Sequence, residues 1–218
     1  MTPNTQPVTT LYYIYDAMCS WCYAFSRSWT ALQLALPKNI EVIHVLGGLA
    51  PDTSEPMPPS MQKHIQQAWR QIEQTVPGVQ FNWDFWSQNQ PIRSTYPACR
   101  AILAARKQRE EAMLPMLHAI QQAYYRRAQN PSLSSILEKC AGEIGLNTKI
   151  FSEELNSPET IQVLQREVQL ARRLGAHSFP ALRLLHNGSV SPVKVDYVNS
   201  QTMLNEINMI IRESSRKA

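Results

Sequence analysis

Two cysteines separated by two residues are the part of this sequence best suited to covalent chemistry. Cys19 and Cys22 enclose Ser20 and Trp21 in the order C-S-W-C. Thiol–disulfide exchange needs an attacking thiolate and a second thiol that can reach the first sulfur. Residues three positions apart lie on the same face of a helix. The spacing therefore predicts a redox pair with Cys19 as the nucleophile and Cys22 as the resolving thiol.

Other uses of a close cysteine pair fit this sequence less well. A zinc or iron–sulfur site needs further ligands, usually from a second close pair, whereas Cys99 and Cys140 stand apart from each other and from the motif. Haem attachment requires a histidine after the second cysteine, and Tyr23 occupies that position. We therefore expect no metal site. Two merely structural cysteines are the open alternative.

The residues around the pair have the pattern of a strand–helix–strand unit. Residues 8–16 form a run of β-branched, aromatic and aliphatic side chains, which is typical of a strand buried on both faces. Apolar residues at helical spacing follow over 19–36, and a second strand pattern covers 40–46. Such a unit predicts parallel strands. Cys19 would then stand at the helix start, where free N–H groups stabilise a thiolate.

The composition changes after the second strand. A proline-rich stretch over 51–60 leads into a segment, 61–174, in which all patterns are helical. One of these helices lies near 132–144, and its expected N-cap is Ser132 or Ser134. The middle of the chain is therefore expected to contain no strand.

Strand character returns near the end of the chain, over 180–186. The dipeptide Asn187-Gly188 predicts a two-residue hairpin turn. The return strand covers about 189–196 and contains Pro192. Because proline cannot donate a hydrogen bond to a neighbouring strand, we expect this strand at a sheet edge. A helix with an apolar stripe closes the chain over 200–216.

The order of these elements predicts an α/β protein. The two ends of the chain, 8–50 and 157–216, have the connectivity of a thioredoxin-like domain, and 51–156 would be an inserted all-helical domain. In thioredoxin folds a cis-proline loop lies opposite the cysteine pair, directly before the third strand. We expect Phe179–Pro180 to be that bond, although a trans-proline starting an edge strand is the alternative.

Three segments give the resemblance to a known family. They are D-A-M-C-S-W-C-Y-A-F over 16–25, Y-P-A-C-R-A-I-L-A over 96–104 and G-A-H-S-F-P-A-L over 175–182. The first resembles the active-site signature of DsbA-like thiol–disulfide oxidoreductases of the FrnE-like branch. The other two resemble that branch's helical-domain motif and cis-proline loop. The likeness extends from residue 8 to about 212.

This resemblance implies a thioredoxin fold with an inserted helical domain, disulfide oxidoreductase or isomerase activity, and no dissociable cofactor beyond the Cys19–Cys22 disulfide. One departure matters for the direction of the reaction. Ser20-Trp21 lacks the histidine of the strongly oxidising members. We therefore expect a reductase or isomerase rather than a strong oxidant.

Several residues outside the motif are secondary candidates. Asp16 is expected either to exchange a proton with Cys22 through water or to cap the helix. Cys99 and Cys140 are expected to be small buried side chains, with Cys99 as a regulatory partner of Cys19 the alternative. Three residues are weak candidates for lining a substrate groove, with ordinary solvated positions as the alternative: Tyr96, Arg100 and His177.

Charge and hydropathy limit the partners. The net charge is only +4, and the basic residues at 106–109 and 126–127 fit solvated helix faces, so we expect neither nucleic acid nor a membrane surface as a partner. No apolar run approaches the ~18 residues of a membrane span, and residues 1–10 lack the regions of a secretory signal. The sequence thus predicts a cytoplasmic protein that acts on peptides, proteins or small thiols, and it leaves the oligomeric state open.

Two other functions are compatible with the same architecture. A glutathione-dependent transferase or isomerase of the kappa-class kind would resemble this chain, but those proteins have a serine at the position of Cys19. A non-catalytic, redox-responsive module could instead bind a peptide in the groove between the domains. The intact cysteine pair favours the oxidoreductase over both.

Overall fold

A single four-stranded sheet positions the cysteine pair in the computed structural model, which describes residues 9–215. The strands are β1 (Thr9–Tyr15), β2 (Ile40–Leu46), β3 (Ala181–His186) and β4 (Ser189–Val193), in the order β2-β1-β3-β4. β1 is parallel to β2, as predicted, and antiparallel to β3. Val8 and Arg216, which the sequence patterns include in the first strand and last helix, lie outside the described residues.

Helices make up most of the remaining chain. Over residues 9–215 they are α1 (Ser20–Ala35), α2 (Pro59–Thr75), α3 (Phe85–Gln88), α4 (Tyr96–Gln108), α5 (Met113–Tyr125), α6 (Ser134–Glu143), α7 (Thr148–Leu155), α8 (Pro158–Arg173) and α9 (Ser200–Ser215). A 3-10 turn, Glu110–Ala112, joins α4 to α5. The predicted α/β class is confirmed. The division into two domains at 50/51 and 156/157 stays a prediction.

Burial explains why β1 and α1 pack together. Every residue of β1 except Tyr12 is buried, as expected for a central strand. The buried face of α1 includes Cys22, Phe25 and Trp29. The Tyr13 ring of β1 lies 4.4 Å from the Trp29 ring between centroids. Burying one such side chain stabilises the fold by roughly 1.5–3 kcal/mol, so this contact fixes the helix on the strand.

The helices between β2 and α8 enclose an aromatic cluster. Trp69 is fully buried at its centre and stacks on Phe81 at 4.5 Å between ring centroids. Tyr125, at the end of α5, packs against the same two rings. It also stacks on Tyr23 of α1 at 4.5 Å. The cluster therefore continues into the helix that carries the cysteine pair.

The hairpin prediction is confirmed, whereas the predicted cap of α6 is wrong. Asn187 and Gly188 have φ values of 50° and 74°, which is the backbone of a type I′ turn. The N-cap of α6 is Leu133, whose side chain cannot accept a hydrogen bond. Ser132 does not cap the helix because its hydroxyl donates to the Ser94 carbonyl at 2.7 Å.

Candidate active site

Cys19 is the N-cap of α1. Its Sγ accepts a hydrogen bond from the backbone N–H of Cys22 at 3.3 Å, and its own N–H donates to the Asp16 carbonyl at 3.2 Å. Free N–H groups and the helix dipole at this position favour negative charge on the sulfur. The strand β1 ends at Tyr15, so the turn over 16–18 brings Cys19 to the edge where β1 stops.

The two thiols differ in their surroundings. Cys19 is 6% exposed and Cys22 is 1% exposed. Burial raises the pKa of the Cys22 thiol well above its ordinary value, and a hydrogen bond with Cys19 adds to this, while the backbone of Asp16 acts in the opposite direction. Cys22 therefore keeps its proton at neutral pH. This is the arrangement of a nucleophile with a protonated thiol behind it.

The loop before β3 lies against the Cys19 sulfur. The Phe179–Pro180 peptide bond is cis, and Cys19 Sγ lies 3.5 Å from the Phe179 carbonyl oxygen. The sheet register explains this closeness, because Ile14 of β1 pairs with Ala181 of β3. Residues just beyond these two must then meet at the same end of the sheet.

Gly47, directly after β2, leaves room for the Phe179 ring because it has no side chain. A Cβ at position 47 would lie 2.1 Å from Cζ of Phe179, which is closer than real atoms approach. Any side chain there would push the ring and its loop away. The glycine therefore lets the cis-proline loop come close to the cysteine pair.

Asp16 joins three segments of the chain at the site. Its carboxylate is fully buried, and Oδ2 accepts hydrogen bonds from the Leu49 N–H at 2.7 Å and from the Thr95 hydroxyl at 2.6 Å. Oδ1 accepts from the Met18 N–H at 2.8 Å. The alternative that Asp16 caps α1 is wrong, because Cys19 is the cap. Proton exchange between Asp16 and Cys22 stays a prediction.

Tyr125 was not found by the sequence analysis, although it supports the active-site turn. Its hydroxyl donates a 2.7 Å hydrogen bond to the Met18 carbonyl, and the side chain is fully buried. Nothing local in the sequence marks this residue, because the contact spans 107 positions of the chain. A buried tyrosine hydroxyl is expected to have a hydrogen-bond partner. The sequence alone does not show that Tyr125 is buried.

A cavity of about 320 Å³ opens beside Cys19. Its walls come from the active-site turn, the cis-proline loop, α2 and the chain before α4. Ser20, Trp21 and Phe179 line it, as does His177, one of the weak groove candidates. Its other walls include residues that the sequence analysis missed: Leu49, His64, Ile65, Arg93 and Tyr124. The cavity is large enough for part of a small ligand or one or two side chains.

The other two groove candidates do not line this cavity. Arg100 is only 6% exposed, and its guanidinium binds both carboxylate oxygens of Asp52, at 2.8 and 2.9 Å, and the Leu155 carbonyl at 3.1 Å. It is thus neither a groove residue nor a solvated one. Tyr96 is half-buried, and its ring lies next to Gly48.

Cys99 and Cys140 are both fully buried. Cys99 Sγ lies 3.5 Å from Oδ2 of Asp16 and donates to it. Burial raises the pKa of the Cys140 thiol to about 11. Both positions disfavour a thiolate, so neither cysteine has the surroundings of a nucleophile.

The described residues, 9–215, contain neither a cluster of metal-ligating side chains nor a helix that could span a membrane. No group of three or more His, Cys, Asp or Glu side chains could hold a metal ion. No helix combines the length and hydropathy that crossing a bilayer would require.

A family model described as thioredoxin matches residues 12–206. The chain belongs to the thioredoxin family. This family member is similar to a candidate protein disulfide isomerase from Nitrosomonas europaea, with 25% identity, a TM-score of 0.81 and coverage of 95% of this chain and 98% of that one. Its fold also matches the cytosolic disulfide reductase DsbM from Pseudomonas aeruginosa, with a TM-score of 0.72, 22% identity and coverage of 96% and 100%.

The DsbA-like resemblance is confirmed at the level of the fold. DsbA from Pseudomonas aeruginosa matches with a TM-score of 0.59 and 12% identity, over 99% of this chain and 89% of that one. The FrnE-like branch stays a prediction.

Curated relatives of this thioredoxin family member have a different description. The ClpXP adapter proteins SpxH of Halalkalibacterium halodurans and Bacillus subtilis are 24% and 22% identical to it over 174 residues, which cover 78% and 79% of the chain. The match covers 56% of each relative, so the chain spans little more than half of their length.

Proposed function

We propose that this thioredoxin family member is a thiol–disulfide oxidoreductase that reduces or isomerises disulfides through Cys19 and Cys22. The observation that carries the proposal is the position of the Cys19 sulfur. It caps α1, where N–H groups favour the thiolate, and it faces the Phe179 carbonyl and a cavity of about 320 Å³. Disulfides of peptides, proteins and small thiols are the proposed substrates, and no dissociable cofactor takes part in the proposed reaction.

The reduction proceeds in two exchanges. The Cys19 thiolate attacks one sulfur of the substrate disulfide, forms a mixed disulfide and releases the other substrate sulfur as a thiolate, which takes up a proton. Cys22 then loses its proton and attacks the Cys19 sulfur. The second substrate thiol leaves, so the substrate gains two electrons and the Cys19–Cys22 pair loses them. A thiol or dithiol reductant must restore the pair for the next turnover.

The neutral dipeptide between the cysteines supports the reducing or isomerising direction. Neither Ser20 nor Trp21 contributes a formal positive charge next to the Cys19 sulfur. A less stabilised thiolate makes the disulfide a weaker oxidant. The fold neighbour DsbM is named a cytosolic disulfide reductase, which agrees with this direction. A cytoplasmic location, where the pair would be held as a dithiol, is part of the proposal.

Reduction of insulin driven by dithiothreitol tests the activity. We expect the wild-type chain to accelerate the reaction and Cys19→Ser to abolish the acceleration. Cys140→Ser is the matched control, because it removes a buried thiol away from the site and should leave the rate unchanged. Glutathione conjugation without insulin reduction would instead favour the kappa-class-like alternative.

The description of the SpxH relatives as adapters favours a second candidate, in which the chain binds a protein partner without thiol chemistry. The same variants separate the two functions. If wild-type and Cys19→Ser chains are equally inactive toward insulin and bind a common protein partner equally well, the chain is a binding module. The intact Cys19–Cys22 pair supports the enzyme.

A further inference from the structure

The cavity beside Cys19 is lined by basic side chains and by no acidic ones among the described residues. The basic residues are Arg93, His64 and His177. Arg93 is half-buried, yet its guanidinium has no ion pair or hydrogen bond within residues 9–215. The buried Arg100, by contrast, is bound to Asp52. An unpaired guanidinium on a half-buried residue at a cavity wall is suited to bind an anion from outside the protein.

The backbone around Arg93 is fixed before any ligand arrives. The Ser132 hydroxyl donates to the Ser94 carbonyl at 2.7 Å and lies 3.3 Å from the Ile92 carbonyl, so it holds both neighbours of Arg93. The segment is also tied to Met57, whose N–H donates to the Pro91 carbonyl at 2.7 Å. A positive charge on a fixed backbone binds an anion with a lower entropic cost than one on a mobile loop.

The same cavity also has an apolar side. Trp21, Leu49, Ile65 and Phe179 contribute to it. Trp21 is held in place by packing against Tyr197 at 5.0 Å between ring centroids. A ligand that fills the cavity must therefore present both a negative charge and an apolar group next to the sulfur that Cys19 attacks. A small thiol with only a carboxylate would leave the apolar wall uncovered.

Building on the proposed function, we propose that the substrates are peptide or protein disulfides whose cysteine lies next to an acidic residue and a bulky apolar residue. The substrate carboxylate pairs with the Arg93 guanidinium. The apolar side chain covers Leu49 and Ile65. Arg93 thus determines specificity, whereas Cys19 carries out the exchange.

Disulfide-linked peptide dimers that differ in one residue test this proposal. The three peptides share a cysteine and a neighbouring leucine and carry Asp, Asn or Lys on the other side. The second-order rate constant for their reduction by the dithiol form of the protein is measured by rapid quenching and chromatography. We expect the Asp peptide to react about tenfold faster than the Asn peptide, as for a charge-assisted hydrogen bond, and the Lys peptide to react more slowly than both.

Variants assign the preference to one residue. Arg93→Gln should remove the difference between the peptides, and Arg93→Glu should reverse their order. Arg212→Gln removes the same charge from the exposed surface of α9 and should leave the preference intact. Circular dichroism checks that all variants are folded. If the Arg212 variant loses the preference as well, it arises from overall charge and the proposal is wrong.

The remaining outcomes separate this proposal from the proposed function. Equal rates for the three peptides with the wild-type chain would overturn the preference and leave the oxidoreductase activity intact. Equally fast reduction of dithiodipropionate, a small disulfide with two carboxylates, would overturn the peptide as the substrate class. If no disulfide is reduced although Cys19 reacts with iodoacetamide, the proposed function fails, and the specificity proposal fails with it.

Discussion

The hydroxyl of Tyr125 donates a 2.7 Å hydrogen bond to the carbonyl oxygen of Met18, the residue directly before Cys19. Tyr125 ends α5, and its ring stacks on Tyr23 in the first turns of α1. One side chain from the helical segment thus holds both the active-site turn and the helix that follows it. The position of the Cys19 sulfur depends on this contact.

We expect Tyr125→Phe to lower the free energy of unfolding by about 1–3 kcal/mol, because it leaves the Met18 carbonyl without its donor in a buried place. The variant should also slow the attack of Cys19 on insulin. Urea unfolding measures the first effect. Tyr124→Phe is the control, because the Tyr124 hydroxyl donates to no group among residues 9–215. Equal effects of the two substitutions on stability would contradict the assigned role.

The roles of the two cysteines predict which variant traps substrate. Cys22→Ser should accumulate mixed disulfides through Cys19, because the nucleophile is kept and the resolving attack is lost. Cys19→Ser should trap none. Non-reducing electrophoresis with mass spectrometry detects the adducts. In the wild-type chain, iodoacetamide should label Cys19 before Cys22, in keeping with the raised pKa of the Cys22 thiol. Trapping by Cys19→Ser instead would reverse the assignment.

His44 gives a prediction for stability against pH. Burial among the rings of Tyr13, Tyr15 and Trp29 lowers the pKa of His44 from 6.5 to about 4. Between these values the unfolded chain binds a proton at this position and the folded chain does not. The stability contributed by neutral His44 is therefore present above pH 6.5 and is lost as the pH falls toward 4, by up to about 3 kcal/mol.

His44→Phe keeps an aromatic ring in that place and removes the titration. The loss of stability on going from neutral to acidic pH should therefore be smaller in this variant than in the wild-type chain. Urea unfolding at a series of pH values measures the difference, and contributions from other groups cancel in the comparison. His118→Gln, at an exposed position on α5, should behave as wild type. Parallel pH profiles for His44→Phe and wild type would refute the prediction.

Gly47→Ala should impair the enzyme by displacing the cis-proline loop. The new Cβ would overlap the Phe179 ring, so the ring must move away from Cys19. Misplacing a reacting group by about 1 Å costs on the order of 10²-fold in rate, and we expect insulin reduction to fall by at least tenfold. Gly142→Ala is the control, because a Cβ at position 142 of α6 would meet its nearest atom at 3.4 Å. An unimpaired Gly47→Ala variant would show that the loop tolerates the shift.

Local patterns were sufficient to predict the framework of the site. The apolar run of β1, the helical spacing after Cys19 and the Asn187-Gly188 turn each act over a few residues, and the structure contains all three elements. The distances between atoms within the C-S-W-C motif follow from the strand and the helix that flank it. Cys19 caps the helix because the strand ends at Tyr15 and the helix starts at Ser20.

Long-range contacts were beyond what the sequence could predict. Arg93 lines the cavity on a segment that distant residues, Ser132 and Met57, hold in place. Arg100 lies in a helical pattern that also fits a solvated residue. Its burial depends on pairing with Asp52, which is 48 positions away. Composition and spacing contain no information on such pairs, because they arise when separate helices pack together.

The buried Asp16 carboxylate has a consequence for protein engineering. Two of its donors, Thr95 and Cys99, and the tyrosine that holds Met18 all belong to the helical segment between β2 and α8. Excising those helices to obtain a minimal protein would leave the buried Asp16 carboxylate with only two of its donors, the Met18 and Leu49 N–H groups, which is unfavourable. The C-S-W-C turn therefore cannot be moved into another protein without the helical segment that supports it. A shortened version would first need an uncharged residue at position 16.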